Sequence, residues 1–161
     1  MERKIKLPER LKTIADCIPP GAAVVDVGSD HGYLPVYLAI NGLARRIIAS
    51  DMSSGSLGAA RRSAAKYGVT DMIEFVVAPG LSGVAENEVD TVVIAGVGGE
   101  TIAGILRDAP WTKSGTRLIL QPQTKKDELR RFLEENGYAI RETKLTHDRG
   151  REYVVILAEG I

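Results

Sequence analysis

This 161-residue sequence has little cysteine, little histidine and no formal net charge, and each of these absences argues against a class of function. Its one cysteine, Cys17, excludes an internal disulfide and a zinc site made of several cysteines. The two histidines disfavour a histidine-rich metal centre, so we expect no bound metal. Because the formal net charge is zero, any binding to nucleic acid has to come from local basic patches.

Long apolar runs are also missing. None approaches the roughly 20 residues that span a bilayer, and the basic start Met1–Lys6 leads into Pro8 rather than into an apolar signal segment. We therefore expect a cytoplasmic protein with no membrane partner. The length and the 44% hydrophobic content suit one core. The expectation is a single domain over residues 1–161, in which residues 1–20 form an N-terminal helical extension.

The sequence does contain short β-branched runs that alternate with segments of helical period, a pattern typical of βα units in a parallel sheet. Five such units are expected, followed by two strands joined through the short turn at 147–150, which predicts an antiparallel hairpin. The predicted class is α/β and Rossmann-like, with a mostly parallel seven-stranded sheet, a C-terminal antiparallel hairpin and helices on both faces. The predicted strands are 23–27, 46–50, 73–77, 91–95, 116–121, 138–145 and 151–158, and the predicted helices are 8–17, 33–40, 53–67, 100–108 and 125–136.

The clearest motif is the first strand, which ends in a glycine turn and opens a helix. Glycine lets the backbone approach a ligand, and the start of a helix offers free N–H groups. In dinucleotide enzymes this geometry holds a pyrophosphate, but Asp30 at the helix entrance would repel one. An acidic turn suits the ammonium and sulfonium groups of S-adenosylmethionine. The predicted cofactor contacts here are Asp26, Gly28, Ser29, Asp30, His31, Gly32 and Tyr33.

Asp51 supports the same interpretation, because it ends the second predicted strand at about the distance where an acid meets the ribose hydroxyls of an adenosine cofactor. The alternative is that Asp26 and Asp51 cap turns and that the glycines serve packing. An NAD-dependent oxidoreductase is a further alternative, which requires a pyrophosphate at the turn.

Two later turns are candidates for the substrate side. Gly98 and Gly99 follow the fourth strand, where glycine would let a flat base approach the backbone, although a simple packing turn fits equally well. Gln121 and Pro122 close the fifth strand, and the amides of Gln121 and Gln123 are candidates for hydrogen bonds to a base edge. Ordinary loop residues are the equal alternative there.

Three segments together resemble the bacterial tRNA adenine-N1 methyltransferases of the TrmK type: GSDHGYLP at 28–35, IAGVGGETI at 94–102 and LILQPQ at 118–123. The likeness runs from Leu11 to Glu159. It implies a class I methyltransferase fold, S-adenosylmethionine as donor, and N1 of the adenine at position 22 of tRNA as acceptor. The family continues into a C-terminal helical domain implicated in tRNA binding, and we expect that domain to be absent here.

The resemblance extends the predicted site. It implies cofactor contacts from Met52, Pro79, Gly80, Ala95 and Gly96, and the sequence departs from the family at Pro79, where an acidic residue is usual. Asp30 is the candidate catalytic residue, because a carboxylate there could take the proton that the exocyclic amine loses after transfer. A role in cofactor binding alone is the alternative.

Two other functions stay open beside methylation of tRNA. A small molecule or a protein could be the acceptor on the same fold, which suits the neutral charge, or the domain could bind the cofactor with little catalysis. Basic side chains that could contact phosphates occur in three groups. The groups are Arg3, Lys4, Lys6, Arg10 and Lys12; Arg61, Arg62 and Lys66; and Lys125, Lys126, Arg130 and Arg131. The alternative is that they form solvated helix faces balanced by Glu128, Glu134 and Glu135, and for the group from Lys125 this is the interpretation we prefer.

Overall fold

The computed structural model describes residues 5–161, so Arg3 and Lys4 of the first basic group lie outside the described residues. Short 3-10 turns at 70–72 and 110–113 connect some of the elements. In chain order the helices and strands are α1 (Glu9–Asp16), β1 (Ala22–Val27), α2 (Tyr33–Ile40), β2 (Ala44–Asp51), α3 (Ser54–Lys66), β3 (Glu74–Val77), β4 (Thr91–Val97), α4 (Gly99–Arg107), β5 (Arg117–Pro122), α5 (Lys126–Glu135), β6 (Tyr138–Asp148) and β7 (Arg151–Gly160).

The strands form one sheet in the order β3-β2-β1-β4-β5-β7-β6. Neighbouring strands from β3 to β5 are parallel, whereas β7 is antiparallel to both β5 and β6. This arrangement confirms the predicted parallel sheet with an antiparallel C-terminal hairpin. All six residues of the central strand β1 are buried, as expected of a strand covered on both faces.

Helices cover both faces of the sheet, as predicted. One core contains side chains of α1, α2 and α3 together with Val24, and the other contains side chains of α4 and α5 together with Val25. Successive strand residues point to opposite faces, which is why these two neighbours belong to different cores. The sheet thereby holds its strand ends at fixed positions for a site.

The prediction of five βα units is wrong for the third strand. The segment 78–90 between β3 and β4 contains turns and no helix, so four strands are followed by helices. Pro79 and Gly80 stand where a helix would have to begin, and the Val84 N–H donates to the Leu81 carbonyl at 3.0 Å to close a turn. Leu81 and Val84 are buried, so this loop covers the sheet in place of a helix.

The C-terminal hairpin is longer than predicted. β6 continues to Asp148, and the two-residue turn Arg149-Gly150 has positive φ values of 51° and 78°. Positive φ values at both residues are typical of the two-residue turn that matches the right-handed twist of a hairpin. The hydroxyls of Thr13 and Thr146 lie 2.9 Å apart and join α1 to β6. The extra length brings the hairpin tip beside the site described next.

Candidate functional site

A cavity of about 660 Å³ lies at the carboxyl ends of β1 and β4. Ligands of open parallel sheets bind at this edge, and the volume is in the usual range for a small-molecule site. The turn between β1 and α2 forms one side, the end of β4 forms another, and α1 with the hairpin tip closes the third. The sequence predicted the first two sides.

Gly28 and Ser29 line the cavity, as predicted from the glycine turn. Their N–H groups donate to the carbonyl of Ser50 at 2.7 and 3.4 Å, which fixes the turn to the end of β2. Gly28 has a φ of 74°, and a Cβ added to it would meet no heavy atom within 4 Å. The missing side chain therefore leaves space for a ligand at this glycine.

Gly32 has a different surrounding. It has a φ of 74°, and an added Cβ would lie 2.8 Å from Cβ and 2.9 Å from Cα of Ala60. Gly32 does not line the cavity. A side chain at position 32 would prevent the close approach of α2 to α3, which explains why glycine is needed there. Its contact with a cofactor stays a prediction.

Asp26 lies at the bottom of the cavity and is 6% exposed. Burial raises the pKa of its carboxyl to about 7, because the charged form is poorly solvated there; Ser29 and Arg10 lower the pKa and Asp51 raises it. An ammonium group in the cavity would favour the ionised form. The cavity wall therefore contains a buried carboxyl whose charge depends on its surroundings.

Asp30, His31 and Tyr33 line the mouth of the same cavity. Asp30 has a φ of 54°, a left-handed conformation that non-glycine residues adopt at a cost. The rings of His31 and Tyr33 are stacked with centroids 5.4 Å apart, and the Tyr33 side chain is exposed. The mouth therefore offers an exposed aromatic surface next to a carboxylate.

Asp51 and Met52 lie at the neighbouring end of β2, outside the lining of the cavity. One Asp51 oxygen accepts from the Ser53 N–H at 2.9 Å, as the capping alternative predicted, and this leaves the second oxygen available. Met52 is 74% exposed and Val77, paired with Asp51 across the strands, is 54% exposed. Two apolar side chains thus flank the acid on the surface.

Pro79 and Gly80 follow β3 beside this surface. Pro79 is exposed and has no side-chain acceptor, so it cannot replace the acidic residue of the family pattern. The Gly80 carbonyl accepts from the Ser50 hydroxyl at 3.4 Å, and an added Cβ on Gly80 would lie 3.2 Å from Ile105. Contact of Pro79 and Gly80 with a cofactor stays a prediction.

The second glycine turn, residues 96–99 at the end of β4 and the start of α4, divides in the same way as the first turn. Ala95 and Gly96 line the cavity, and Gly96 has a φ of 79°. An added Cβ would lie 2.9 Å from the Thr124 hydroxyl at Gly98 and 2.3 Å from the Lys125 carbonyl oxygen at Gly99. Gly98 and Gly99 accordingly form the packing turn that the sequence left as the equal alternative, and their substrate contact is untested.

Gln121 is completely buried and is not among the residues that line the cavity. Its carbonyl oxygen accepts from Arg10 Nη1 at 3.0 Å, and its amide nitrogen donates to the Pro122 carbonyl at 3.1 Å and to Gln123 Oε1 at 3.2 Å. Gln123 lines the cavity in its place, and Pro122 lines an adjoining one. Of the two amides, that of Gln123 is therefore the one that lines the cavity.

Sequence reasoning missed Arg10 as a part of this site. The side chain extends from α1 across the cavity wall, where it donates to Gln121 and lies 3.8 Å from an Asp148 carboxylate oxygen. An added Cβ on Gly96 would lie 3.9 Å from Arg10 Nη1. Only the basic character of the N-terminal segment signalled this residue, and that signal suggested phosphates rather than a cavity wall.

The hairpin tip also escaped the sequence analysis, which used 147–150 only to predict a turn. Asp148, Arg149 and Tyr153 all line the cavity. They come from a part of the chain more than 100 residues after the glycine turn, and no local pattern links the two. Within residues 5–161, moreover, no group of His, Cys, Asp and Glu side chains is arranged to hold a metal ion. No helix in that range is long and apolar enough to cross a membrane.

Comparison with known proteins assigns the fold and the family. Residues 7–156 match the family model described as "Methyltransferase domain". The tRNA (adenine(22)-N(1))-methyltransferase of Bacillus subtilis is 37% identical over 158 residues, covering 98% of this chain and 66% of the relative. The chain therefore spans about two thirds of that relative's length.

Two solved structures agree with this match. The Bacillus subtilis M1A22 tRNA methyltransferase TrmK superposes with a TM-score of 0.90 at 36% identity, covering 98% of this chain and 68% of that one. The TrmK of M. capricolum, in complex with S-adenosyl-homocysteine, gives a TM-score of 0.85 at 29% identity, covering 96% and 69%. The chain belongs to the methyltransferase-domain family and, within it, to the TrmK-type tRNA methyltransferases.

Proposed function

We propose that this chain is an S-adenosylmethionine-dependent methyltransferase that methylates N1 of an adenine in tRNA. The observation that carries the proposal is the buried Asp26 carboxyl beneath the glycine turn, in a cavity shaped for a small cationic ligand. The relatives with the same fold act on adenine 22 of tRNA, and one was solved with the demethylated cofactor. Because tRNA is a cytoplasmic substrate, we propose a cytoplasmic site of action.

The residues present fit S-adenosylmethionine. Asp26 would receive the ammonium group, and the open face of Gly28 would let the ligand approach the backbone. The free oxygen of Asp51 would accept from a ribose hydroxyl, with the exposed Met52 and Val77 beside the adenine ring. Proline at position 79 leaves that ring without the acidic partner usual in the family.

Catalysis would depend mainly on positioning. Bound S-adenosylmethionine would supply an electrophilic methyl group for the adenine N1 and would leave as S-adenosylhomocysteine, while the residues of this chain would hold the two partners in line. Because N1 lies on the Watson–Crick edge, the base has to leave its pair and enter the mouth of the cavity. There the stacked His31 and Tyr33 offer an aromatic surface, and the Gln123 amide can hydrogen-bond the base edge. Asp30 is the proposed acceptor of the proton lost from the exocyclic amine.

The proposal is tested by incubating the chain with unmodified bacterial tRNA and S-adenosylmethionine, followed by nucleoside analysis. We expect 1-methyladenosine with the wild type and none with Asp26→Asn. Calorimetric titration with S-adenosylmethionine separates the possible failures. Binding without 1-methyladenosine would exclude the tRNA substrate, and no binding at millimolar concentration would exclude an active methyltransferase.

A small molecule or a protein is the second candidate acceptor, favoured by the formal net charge of zero. The two candidates differ in their dependence on salt. Methylation of tRNA should weaken steeply as salt rises, because phosphate contacts release counterions, whereas methylation of a neutral small molecule should change little.

A further inference from the structure

A second cavity of about 410 Å³ adjoins the first and shares Gln123 and Tyr153 with it. Its walls are the connection from β5 to α5 (122–126) and the start of β7 (151–154), and we call it the basic groove. We propose that the basic groove holds the phosphodiester backbone of the RNA strand next to the adenine being methylated. This inference rests on the proposed function and names the surface that would take its substrate.

The charge of the groove supports a polyanionic ligand. Lys125, Lys126 and Arg151 line it, all three are exposed, and within residues 5–161 none of them forms an ion pair. Some arginines elsewhere on the surface are paired; Arg46, for example, contacts Glu74 at 2.6 Å. Unpaired cations beside a base pocket are the side chains that phosphate groups bind.

Glu152 is the carboxylate that lines the same groove, and it lies 3.5 Å from His147 Nε2. Three cations therefore face one anion, and the groove keeps an excess of positive charge. The nearest acidic residues on α5, Asp127 and Glu128, are not among its lining residues. Replacement of Glu152 by glutamine should consequently strengthen binding of RNA.

The backbone under the cations is held rigidly. Lys125 has a left-handed φ of 58°, its carbonyl accepts from the Leu129 N–H at 3.1 Å, and Gly99 packs against that carbonyl. The Gly99 N–H donates to the Thr124 carbonyl at 2.7 Å. The second glycine turn thus contacts both the first cavity, through Gly96, and the backbone of Lys125, through Gly99. It therefore holds the two cavities in a fixed relative position.

The continuity of the two cavities argues for RNA over a separate small anion. Tyr153 and Gln123 lie between them, so a strand whose base enters the first cavity would pass its neighbouring phosphates through the second. Nucleic-acid grooves combine backbone-tracking cations with aromatic side chains that stack on bases in this way.

The test compares two matched double variants of the whole chain. Lys126→Gln with Arg151→Gln removes one lysine and one arginine from the groove. Lys113→Gln with Arg117→Gln removes the same charges at the opposite edge of the sheet, where β5 begins. Binding of a fluorescein-labelled tRNA transcript is measured by anisotropy between 50 and about 300 mM salt, and calorimetry measures S-adenosylmethionine binding.

We expect the groove variant to bind the transcript about tenfold more weakly at about 150 mM salt and to lower the slope of log affinity against log salt by about two, one for each lost phosphate contact. The KM for tRNA should rise while kcat and S-adenosylmethionine binding stay the same. The control variant should remain within about twofold of the wild type in every measurement.

Lys125 requires its own variant because of its backbone conformation. Lys125→Asn removes the charge, and asparagine tolerates the left-handed region, so the native turn is kept. We expect a weaker affinity for the transcript at unchanged melting temperature. An equal loss in the Lys113 and Arg117 control, or no loss in any groove variant, would overturn the inference.

The same measurements separate this inference from the proposed function. If the wild type forms 1-methyladenosine but the groove variant matches the control, the groove is refuted and the proposed function stands. If the wild type binds S-adenosylmethionine but neither binds nor methylates tRNA, both fail. If 10 mM inorganic phosphate displaces the transcript more than chloride of equal ionic strength, the groove is a site for free anions and the inference is wrong.

Discussion

The two glycine turns of this protein, residues 28–32 at the end of β1 and residues 96–99 at the end of β4, are built alike but differ in the side chains beside them. In each, the first glycine (Gly28 or Gly96) has a positive φ and faces the cavity, while the last (Gly32 or Gly99) is pressed against another element. The strand before the first turn also carries a buried acid, Asp26, and the strand before the second turn carries none. The glycines of both turns therefore create space and close packing, and the buried acid is what distinguishes the first turn from the second.

The largest effect is expected at the packing glycine of the second turn. In Gly99→Ala the new Cβ would meet the backbone carbonyl of Lys125 at 2.3 Å, so the turn has to shift. We expect a loss of about 3 kcal/mol in the free energy of unfolding. Gly96→Ala, the matched variant in the same turn, meets only the end of the Arg10 side chain and should cost about 1 kcal/mol for its positive φ. Urea denaturation measures both, and equal losses would contradict the division of the turn.

Asp26→Asn should weaken S-adenosylmethionine binding about 100-fold, since the amide leaves the ammonium group without a counter-charge. Calorimetry at pH 8 measures this effect. The matched change Asp30→Asn at the exposed mouth should cost much less, and a similar loss in both variants would show that Asp26 is not the main anchor.

The stability of the wild type should depend on pH in the opposite way to its cofactor affinity, and Asp26→Asn should lack the contribution of this carboxyl to both. The native pKa of Asp26 lies above its ordinary value, so the native state holds this proton more tightly than the unfolded state. The contribution of Asp26 to wild-type stability should therefore fall as pH rises from 4 to 8, and the variant should lack that component. Denaturation of both proteins at the two pH values is the measurement, and parallel pH profiles would refute it.

Cofactor affinity should itself fall on acidification. Ammonium binding requires the ionised Asp26, whose pKa in the free protein is about 7. We expect about a tenfold loss of S-adenosylmethionine affinity between pH 8 and pH 6, and proton release that calorimetry detects in buffers of different ionisation enthalpy. Asp26→Asn should show no proton release, and an unchanged wild-type affinity would exclude this role.

The smallest effect is expected at Asp30. Asp30→Gly removes a carboxylate from the mouth and relieves a φ of 54°, so stability should rise by about 1 kcal/mol while S-adenosylmethionine affinity falls about threefold. Melting curves and calorimetry check the two. A gain of NAD binding in this variant would revive the pyrophosphate interpretation of the turn.

The local part of this structure was predictable. Alternating apolar runs and helical segments predicted the succession of strands and helices along the chain and the antiparallel hairpin, because these patterns follow from periods of 2 and 3.6 residues. The helix predicted at 33–40 is found at Tyr33–Ile40. The segment 78–90 has no helical period in its sequence, and Pro79 and Gly80 interrupt it. The prediction of a fifth βα unit was wrong because it extended the βα repeat over this segment.

The candidate site was predictable only where it is continuous in sequence. Asp26, Gly28 and Asp30 lie within five consecutive residues at the end of β1 and in the turn that follows, and all three line the cavity. Gln121 and Gln123 lie two residues apart and looked equivalent, yet a hydrogen bond from Arg10 turns one inward and leaves the other at the cavity. That distinction depends on a residue 111 positions away.

The sequence by itself determined the fold class, the acidic glycine turn and the resemblance to a methyltransferase family, since each is written in neighbouring residues. Tertiary structure decided which glycines and which amide line the cavity, and that Arg10 and the hairpin tip complete it. It also placed Lys125, Lys126 and Arg151 in one groove. The reason is physical: space and charge at a point depend on every segment packed around it, and sequence patterns report only one segment at a time.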